Sequence, residues 1–162
     1  MLTVLDRDVE LSFGFEDLLR YHGPHAPGGV AHAYKVMERA FPLLGEPVHR
    51  REVMVRTAFG GPGARDAFEA VLRAVTGERY VVDLTLGRPS LGPERERFVF
   101  ELRHRGTAVR LAVRDGFVTR EFIDLARRSG RSDEDEARLD VLKREMASRV
   151  MAAPAFEVYD VG

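Results

Sequence analysis

The sequence contains no cysteine. Disulfide bonds, thiolate nucleophiles, zinc ribbons and iron–sulfur clusters are therefore excluded, and any metal ion would need imidazole, carboxylate, carbonyl or water ligands. No run of about 18 apolar residues occurs either, so we expect no transmembrane helix and no membrane partner. The first residues carry acids and have no apolar segment typical of a secretion signal, so the cytoplasm is the expected compartment.

An excess of charge of one sign is also missing, since the formal net charge is -1. Proteins that bind nucleic acids normally show a basic excess, so we expect no nucleic-acid partner. Arginine clusters do occur in the stretches ERERFVFELRHRG and ARRSGRS, but acids interleave the first and follow the second. Such mixed clusters are typical of solvated protein surfaces.

What the sequence does contain is the composition of an ordinary globular protein, with 44% hydrophobic and 31% charged residues. A chain of 162 residues is long enough to bury a core and fits a single domain. There is no internal repeat and no linker that would separate domains. We therefore expect one domain over residues 1–162.

Hydrophobic spacing predicts five helices, at about 15–21, from 28 onward, and at about 63–76, 120–128 and 132–151. Gly23 is expected to end the first and Gly77 the third. Thr119 is the expected cap of the fourth helix, and Ser132 with Asp135 forms a capping-box pattern at the fifth.

Alternating apolar residues predict central strands near 52–58, 80–86, 97–104 and 107–113. The pair Arg105–Gly106 suits a tight turn, so the last two strands should pair antiparallel. After Pro154 the chain is expected to close as an extended segment. The predicted fold is α+β, with two layers in which helices pack on one face of a largely antiparallel sheet.

The stretch YHGPHAPG contains His22 and His25, the only imidazoles close together in the sequence. Its two prolines restrict how far these side chains can separate, and Gly28 starts a helix whose unpaired N–H groups point toward the same volume. Asp66 is expected at the start of the next helix, after a strand and a glycine turn. We therefore expect His22, His25, Gly28 and Asp66 to converge on a ligand-binding pocket.

The same residues allow other interpretations. His22 and His25 are candidate ligands of zinc or another divalent metal with nitrogen and oxygen coordination. Alternatively, His22 only caps the first helix, His25 is an exposed loop residue, and Asp66 only stabilises a helix N-terminus. The remaining histidines, His32, His49 and His104, are expected at the surface or at a sheet edge.

Several of these segments resemble the FmdE-like family, which is named after a component of formylmethanofuran dehydrogenase. Its signature reads Phe-Glu-Asp-Leu, two residues, then Phe-His-Gly-His-x-Cys-Pro-Gly. The matching residues are Phe15, Glu16, Asp17, Leu18, His22, Gly23, Pro27 and Gly28. The stretch GARDAFEAVLRAVTG is similar to a second family segment through Asp66, Ala67 and Gly77, and RVMAAPAFEVYDV to the C-terminal close.

The departures from this family concern residue types that commonly bind metal ions. The second signature histidine, which follows the glycine, is replaced by Pro24, and the three signature cysteines are replaced by Ala26, Gly63 and Ala74. We expect no C-terminal zinc-binding extension of the kind that some members carry. The resemblance implies an accessory binding role, because in the complex that names the family the redox chemistry belongs to a different component.

Three functions remain open from the sequence. The first is a cytoplasmic small-ligand or metal-binding protein with an accessory role. The second is an enzyme in which His22 acts as general base and Asp66 orients it or the substrate. The third is a non-catalytic homodimeric scaffold. A homodimer is expected because the resemblance implies it, and because the apolar seams of the second and last helices offer surface for pairing.

Overall fold

The computed structural model describes residues 1–162 and contains six helices and seven strands. The helices are α1 (Phe15–His22), α2 (Pro27–Leu44), α3 (Pro62–Leu72), α4 (Arg120–Arg127), α5 (Asp133–Ala152) and α6 (Ala155–Val158). The strands are β1 (Leu2–Asp6), β2 (Val9–Phe13), β3 (Val53–Thr57), β4 (Tyr80–Val82), β5 (Val99–His104), β6 (Thr107–Val113) and β7 (Tyr159–Val161). None of the helices has the length and apolar character needed to span a lipid bilayer.

Five strands form the main sheet in the order β4-β3-β5-β6-β7. The pairs β3–β5, β5–β6 and β6–β7 are antiparallel, and only β3–β4 is parallel. The parallel pair arises because α3 forms the crossover between its two strands, which a short hairpin cannot do. The expected α+β fold with a largely antiparallel sheet is confirmed.

The helices cover one face of this sheet. α2 lies against β5, β6 and β7, and α3 and α5 pack on either side of α2. Side chains such as Val55, Leu102 and Leu111 are fully buried between the layers. The opposite face carries charge, since Glu101 accepts hydrogen bonds there from Arg56 and Arg110.

α2 is the central helix of the domain, and the continuous stretch from Gly28 to Met37 is buried. A helix that packs against a sheet on one side and helices on two others has no wide solvent face. The expectation that His32 is a surface residue is therefore wrong, because it is 0% exposed. His104 is also buried, at the end of β5, while His49 is half-buried beside it.

Three local features of the structure differ from the sequence analysis. The hairpin of β1 and β2 was not predicted, and it is tied to the domain by the Leu5 N–H donating to the Val48 carbonyl. α3 ends at Leu72 because Arg73, at φ 53, takes the left-handed conformation expected of Gly77. The strand expected over 80–86 ends at Val82, where the Asp83 carboxylate accepts from the Thr85 N–H and starts a 3-10 turn.

The other helix boundaries follow the predicted signals. Gly23, at φ 89, ends α1 and donates its N–H to the Leu19 carbonyl. Thr119 caps α4 through the Phe122 N–H. Ser132 and Asp135 form the capping box of α5. After Pro154, α6 precedes β7, so the closing segment is extended only over its last residues.

Candidate functional site

His22 lies at the junction of three segments. Its Nδ1 is 2.8 Å from Oδ2 of Asp66 in the first half of α3, and its Nε2 accepts the backbone N–H of Ala26 at 3.1 Å. The imidazole side chain is only 5% exposed. His22 therefore joins the end of α1, the loop before α2 and the start of α3.

These two hydrogen bonds fix the protonation of the neutral ring. The Ala26 N–H can only donate, so Nε2 must carry the lone pair and Nδ1 the proton, which it donates to Asp66. Neither ring nitrogen is left for a metal ion or for a substrate proton. His22 is thus a structural connector in this conformation.

The residues around His22 do not fit the divalent metal site that the histidine pair predicted. His25 is exposed and makes no side-chain hydrogen bond to His22 or Asp66. No group of three histidine or carboxylate side chains is arranged to hold a metal ion. The structure therefore brings His22 and Asp66 together but does not add His25 to them.

Glycine lets α2 approach its neighbours very closely. A Cβ on Gly63 would lie 2.3 Å from the Ala26 carbonyl oxygen, and one on Gly29 would lie 3.0 Å from the Ala64 nitrogen. A Cβ on Gly28 would lie 2.4 Å from Cε of Met146 on α5. Gly28 thus serves the packing of α2 against α5. At Gly29 and Gly63 the starts of α2 and α3 therefore lie close to each other's backbone.

A cleft of about 290 Å³ opens beside this glycine contact. The starts of α2 and α3 form one wall, and α4 and α5 form the other. The lining residues are Ala26, Gly29, Phe59, Gly61, Pro62, Gly63, Phe122, Ala126, Arg131, Leu139, Lys143 and Met146. The cleft lies just beyond the carboxyl end of β3, a position where α/β crossovers commonly place ligands.

The His22–Asp66 pair stands behind the wall of this cleft. Ala26, whose N–H is bonded to His22, lines the cleft, and so does Gly63, in the same helix as Asp66. The hydrogen bonds of His22 therefore hold Ala26 against Gly63. Of the residues predicted for the pocket, His22 and Asp66 support the wall of the cleft from its far side.

Ala26 and Gly63, which the sequence resemblance aligns with signature cysteines, both line this cleft. A Cβ on Gly63 would lie 3.2 Å from the Ala26 Cβ, so the two positions are immediate neighbours. A cysteine at 63 would collide with the Ala26 carbonyl oxygen in the present backbone. Pro24 is exposed and Ala74 is fully buried in the core.

The charges at the cleft were not predicted from the sequence. Arg131 and Lys143 are its only charged lining residues, and both are cationic. Both come from the C-terminal third of the chain, far in sequence from the histidine motif. Their positions in the predicted loop before the last helix and within that helix gave no signal that they would meet the glycine turn.

An aromatic stack lies below the cleft. Phe59 in the cleft wall stacks on Phe98 at 4.4 Å between ring centroids, and Phe98 lies 4.7 Å from the ring of His32. His32 Nδ1 is 2.8 Å from the hydroxyl of Tyr159, while Nε2 has no partner. Burial lowers the pKa of His32 to about 3, with a smaller contribution from Arg149, and raises the pKa of Tyr159 well above its usual value.

A larger hollow of about 590 Å³ lies between the N-terminal hairpin and α2. Its charged lining side chains are Glu10, Glu38 and Glu46, and no lysine or arginine lines it. It contains none of the sequence-predicted site residues. The cleft at the starts of α2 and α3 is therefore the better candidate site.

No family model matches the chain, and no curated protein is similar enough to it to count as a relative.

Proposed function

We propose that this protein is a cytoplasmic small-molecule-binding protein that holds its ligand in the cleft between α2, α3, α4 and α5. One observation carries the proposal: a mostly apolar cleft of about 290 Å³ opens where two helices begin side by side. Concave, apolar sites with a few polar groups are typical of small-molecule binding. An accessory role follows from the resemblance to the FmdE-like family.

The position of the cleft supports this resemblance-based proposal. The family signature has its histidine and cysteines in two segments far apart in sequence, and in this chain Ala26 and Gly63 from those segments line one cleft. His22, which matches the first signature histidine, supports the same wall. These positions support a binding site at the cleft that lacks the cysteines of the family signature.

The enzymatic alternative is less well supported. A general base needs a nitrogen lone pair within reach of a substrate proton. The lone pair of His22 is used by the Ala26 N–H, and the other ring nitrogen is bonded to Asp66. The hydrogen bonds of His22 and Asp66 therefore account for the shape of the cleft better than for a catalytic role.

A neutral fluorescent probe tests the binding function. N-phenylnaphthylamine (NPN) brightens in apolar surroundings, and the chain has no tryptophan to interfere. Ala126 lies at the exposed mouth of the cleft, so Ala126→Phe should fill the cleft without disturbing the core. We expect the parent to bind one NPN per chain and Ala126→Phe to lose most of this binding.

The matched control is Ala137→Phe, an exposed alanine of α5 that does not line the cleft. It should bind NPN like the parent. Circular dichroism of all three proteins checks that the helices are intact. Equal NPN binding by Ala126→Phe and the parent, or no binding by the parent, would overturn the proposed function.

A further inference from the structure

We propose that the ligand of the cleft is an organic anion, with its apolar body against the cleft walls and its charged group at Lys143 and Arg131. The inference rests on the proposed binding function and adds the chemical class of the ligand. It concerns a small carboxylate, sulfonate or phosphate ester carried on an apolar group.

The walls of the cleft favour an apolar body. Phe122, Leu139 and Met146 are buried side chains that contribute to its lining, and the ring of Phe59 stands beside them. Burying such surface contributes a favourable free energy of roughly 25 cal/mol per Å² of apolar area. The volume of about 290 Å³ limits the ligand to roughly the size of a small ring system.

The charged side chains that line the cleft are of one sign, since Lys143 and Arg131 line it and no aspartate or glutamate does. Arg131 is ion-paired at 2.8 Å with Glu136, which lies outside the lining. The chain has only two lysines, and they differ in their surroundings. Lys35 is paired with Glu38 at 3.1 Å, whereas Lys143 has no carboxylate within ion-pair distance and is half-buried on α5. Lys143 is thus a cation with no counter-ion from the chain.

Arg131 is held in place over the same cleft. Its Nη1 donates to the carbonyl of Ala126, at 3.0 Å, and to that of Arg128, while its Nε donates to Glu136 at 2.8 Å. These bonds leave Nη2 without a partner. A guanidinium fixed in this way loses little side-chain freedom when it binds an anion.

The backbone adds a field of the same sign. α2 and α3 both begin with a proline, have no capping side chain, and carry no acidic residue in their first turn. The N-terminal ends of these two helices carry partial positive charge. They reinforce the attraction that the two side chains set up.

Other hollows of the surface differ from the cleft in the charge of their lining. The hollow beside the N-terminal hairpin is lined by three glutamates and by no lysine or arginine. The hollows at α1 and at α4 each combine arginines with carboxylates. Each of these hollows therefore has carboxylates in its lining, whereas the cleft has none, and this difference favours an anion.

Two probes that differ by one charged group test the proposal. Anilinonaphthalene sulfonate (ANS) is NPN with a sulfonate added, so the pair isolates the effect of the anion. We expect the parent to bind ANS more tightly than NPN in equilibrium fluorescence titrations. Lys143→Gln should weaken ANS binding about tenfold, the size expected for one hydrogen bond to a charged group, and leave NPN binding within about twofold.

The control is Arg144→Gln, which removes the same charge from the adjacent, exposed residue of α5 outside the cleft. Arg144→Gln should leave ANS binding unchanged. Lys143→Arg keeps the positive charge and should keep most of the ANS binding of the parent. If both probes bind in the cleft but Lys143→Gln weakens them equally or not at all, the anion proposal fails and the binding function stands. If neither probe binds the parent, both proposals fail.

Discussion

The imidazole of His22 joins a helix end, a loop and a second helix through two hydrogen bonds. Its side chain is 5% exposed, so water cannot easily replace the partners it would lose. The Ala26 N–H would be left without an acceptor, and a buried unpaired donor costs about 1–3 kcal/mol.

His22→Ala should therefore lower the free energy of unfolding by about 2 kcal/mol and weaken NPN binding, because Ala26 is no longer held at the cleft wall. Urea denaturation measures the first effect and fluorescence titration the second. Asp66→Asn is the matched control, since its amide oxygen still accepts the Nδ1 proton; it should lose less than half as much. Unchanged stability and probe binding in His22→Ala would contradict the connector role.

The burial of His32 predicts how the stability of the protein changes in acid. Its pKa in the folded protein is about 3, because burial disfavours the charged ring, whereas the ordinary value is 6.5. Between these two values the unfolded chain binds a proton that the folded chain does not. Stability is therefore full above the ordinary pKa and is lost as the pH falls toward the folded value.

His32→Asn removes the titrating ring and keeps an amide near the Tyr159 hydroxyl. Between about pH 7 and about pH 4.5, the parent should lose about 2 kcal/mol more unfolding free energy than this variant. Chemical denaturation at several pH values measures the difference. Equal losses in the two proteins would show that His32 becomes protonated within the fold.

These residues show how much of the candidate site could be predicted from the sequence. The meeting of His22 with Asp66 could be expected from the chain, because one ends a helix and the other starts a helix after a strand. The burial of His32 could not, since the apolar stripe of α2 indicated a helix with one solvent face. Lys143 and Arg131 carry no local pattern, and only the packing of α5 brings them to the cleft.

Among the elements, α2 and α3 set the shape of the cleft by the closeness of their first turns. Gly63 is the tightest point, where a Cβ would lie 2.3 Å from the Ala26 carbonyl oxygen. That contact is with backbone, so a rotamer change cannot relieve it. The two helices would have to separate.

Gly63→Ala should destabilise the protein by about 1–3 kcal/mol, the usual cost of overpacking, even though alanine is the better helix former by about 1 kcal/mol. Gly60→Ala is the control, because that residue is exposed and the nearest atom to its Cβ, in Val82, is 4.0 Å away. Thermal unfolding of both variants measures the difference. A Gly63→Ala protein as stable as the parent would mean that the helices have room to move apart.

At the level of elements, the long periodic segments were predictable and the short ones were not. β5, β6, α4 and α5 follow clear alternation or capping signals. The β1–β2 hairpin was missed because its strands are five residues long and its turn contains Arg7, at φ 57, where glycine would have been the signal. The end of α3 at Arg73 was missed for the same reason, since a non-glycine residue takes the left-handed position.

For the whole molecule, the fold class could be predicted from the order of helices and strands. The apolar surface available for pairing between copies could not. The apolar seams of α2 and α5 were expected to be available for pairing between copies. In the structure the two helices pack against each other, with Gly28 of α2 beside Met146 of α5. That argument for a homodimer does not hold, and the homodimer stays a prediction that needs another surface.

We propose the edge strand β4 as that surface. Val81 and Val82 of β4 and Leu84 just after it are 42%, 47% and 63% exposed, and an unpaired edge with apolar side chains favours pairing with another strand. We expect light scattering at tens of micromolar to give twice the 18.2 kDa of one chain. Val82→Lys should shift the protein toward the monomer, because pairing would bury its charge.

Val161→Lys tests whether the effect belongs to β4. Val161 lies on β7 at the opposite edge and is similarly exposed, at 50%, so a charge there changes the surface by the same amount without touching β4. We expect this variant to keep the mass of the parent. A parent that scatters as a single chain would contradict the homodimer, and a Val161→Lys protein that dissociates while Val82→Lys does not would move the contact to β7.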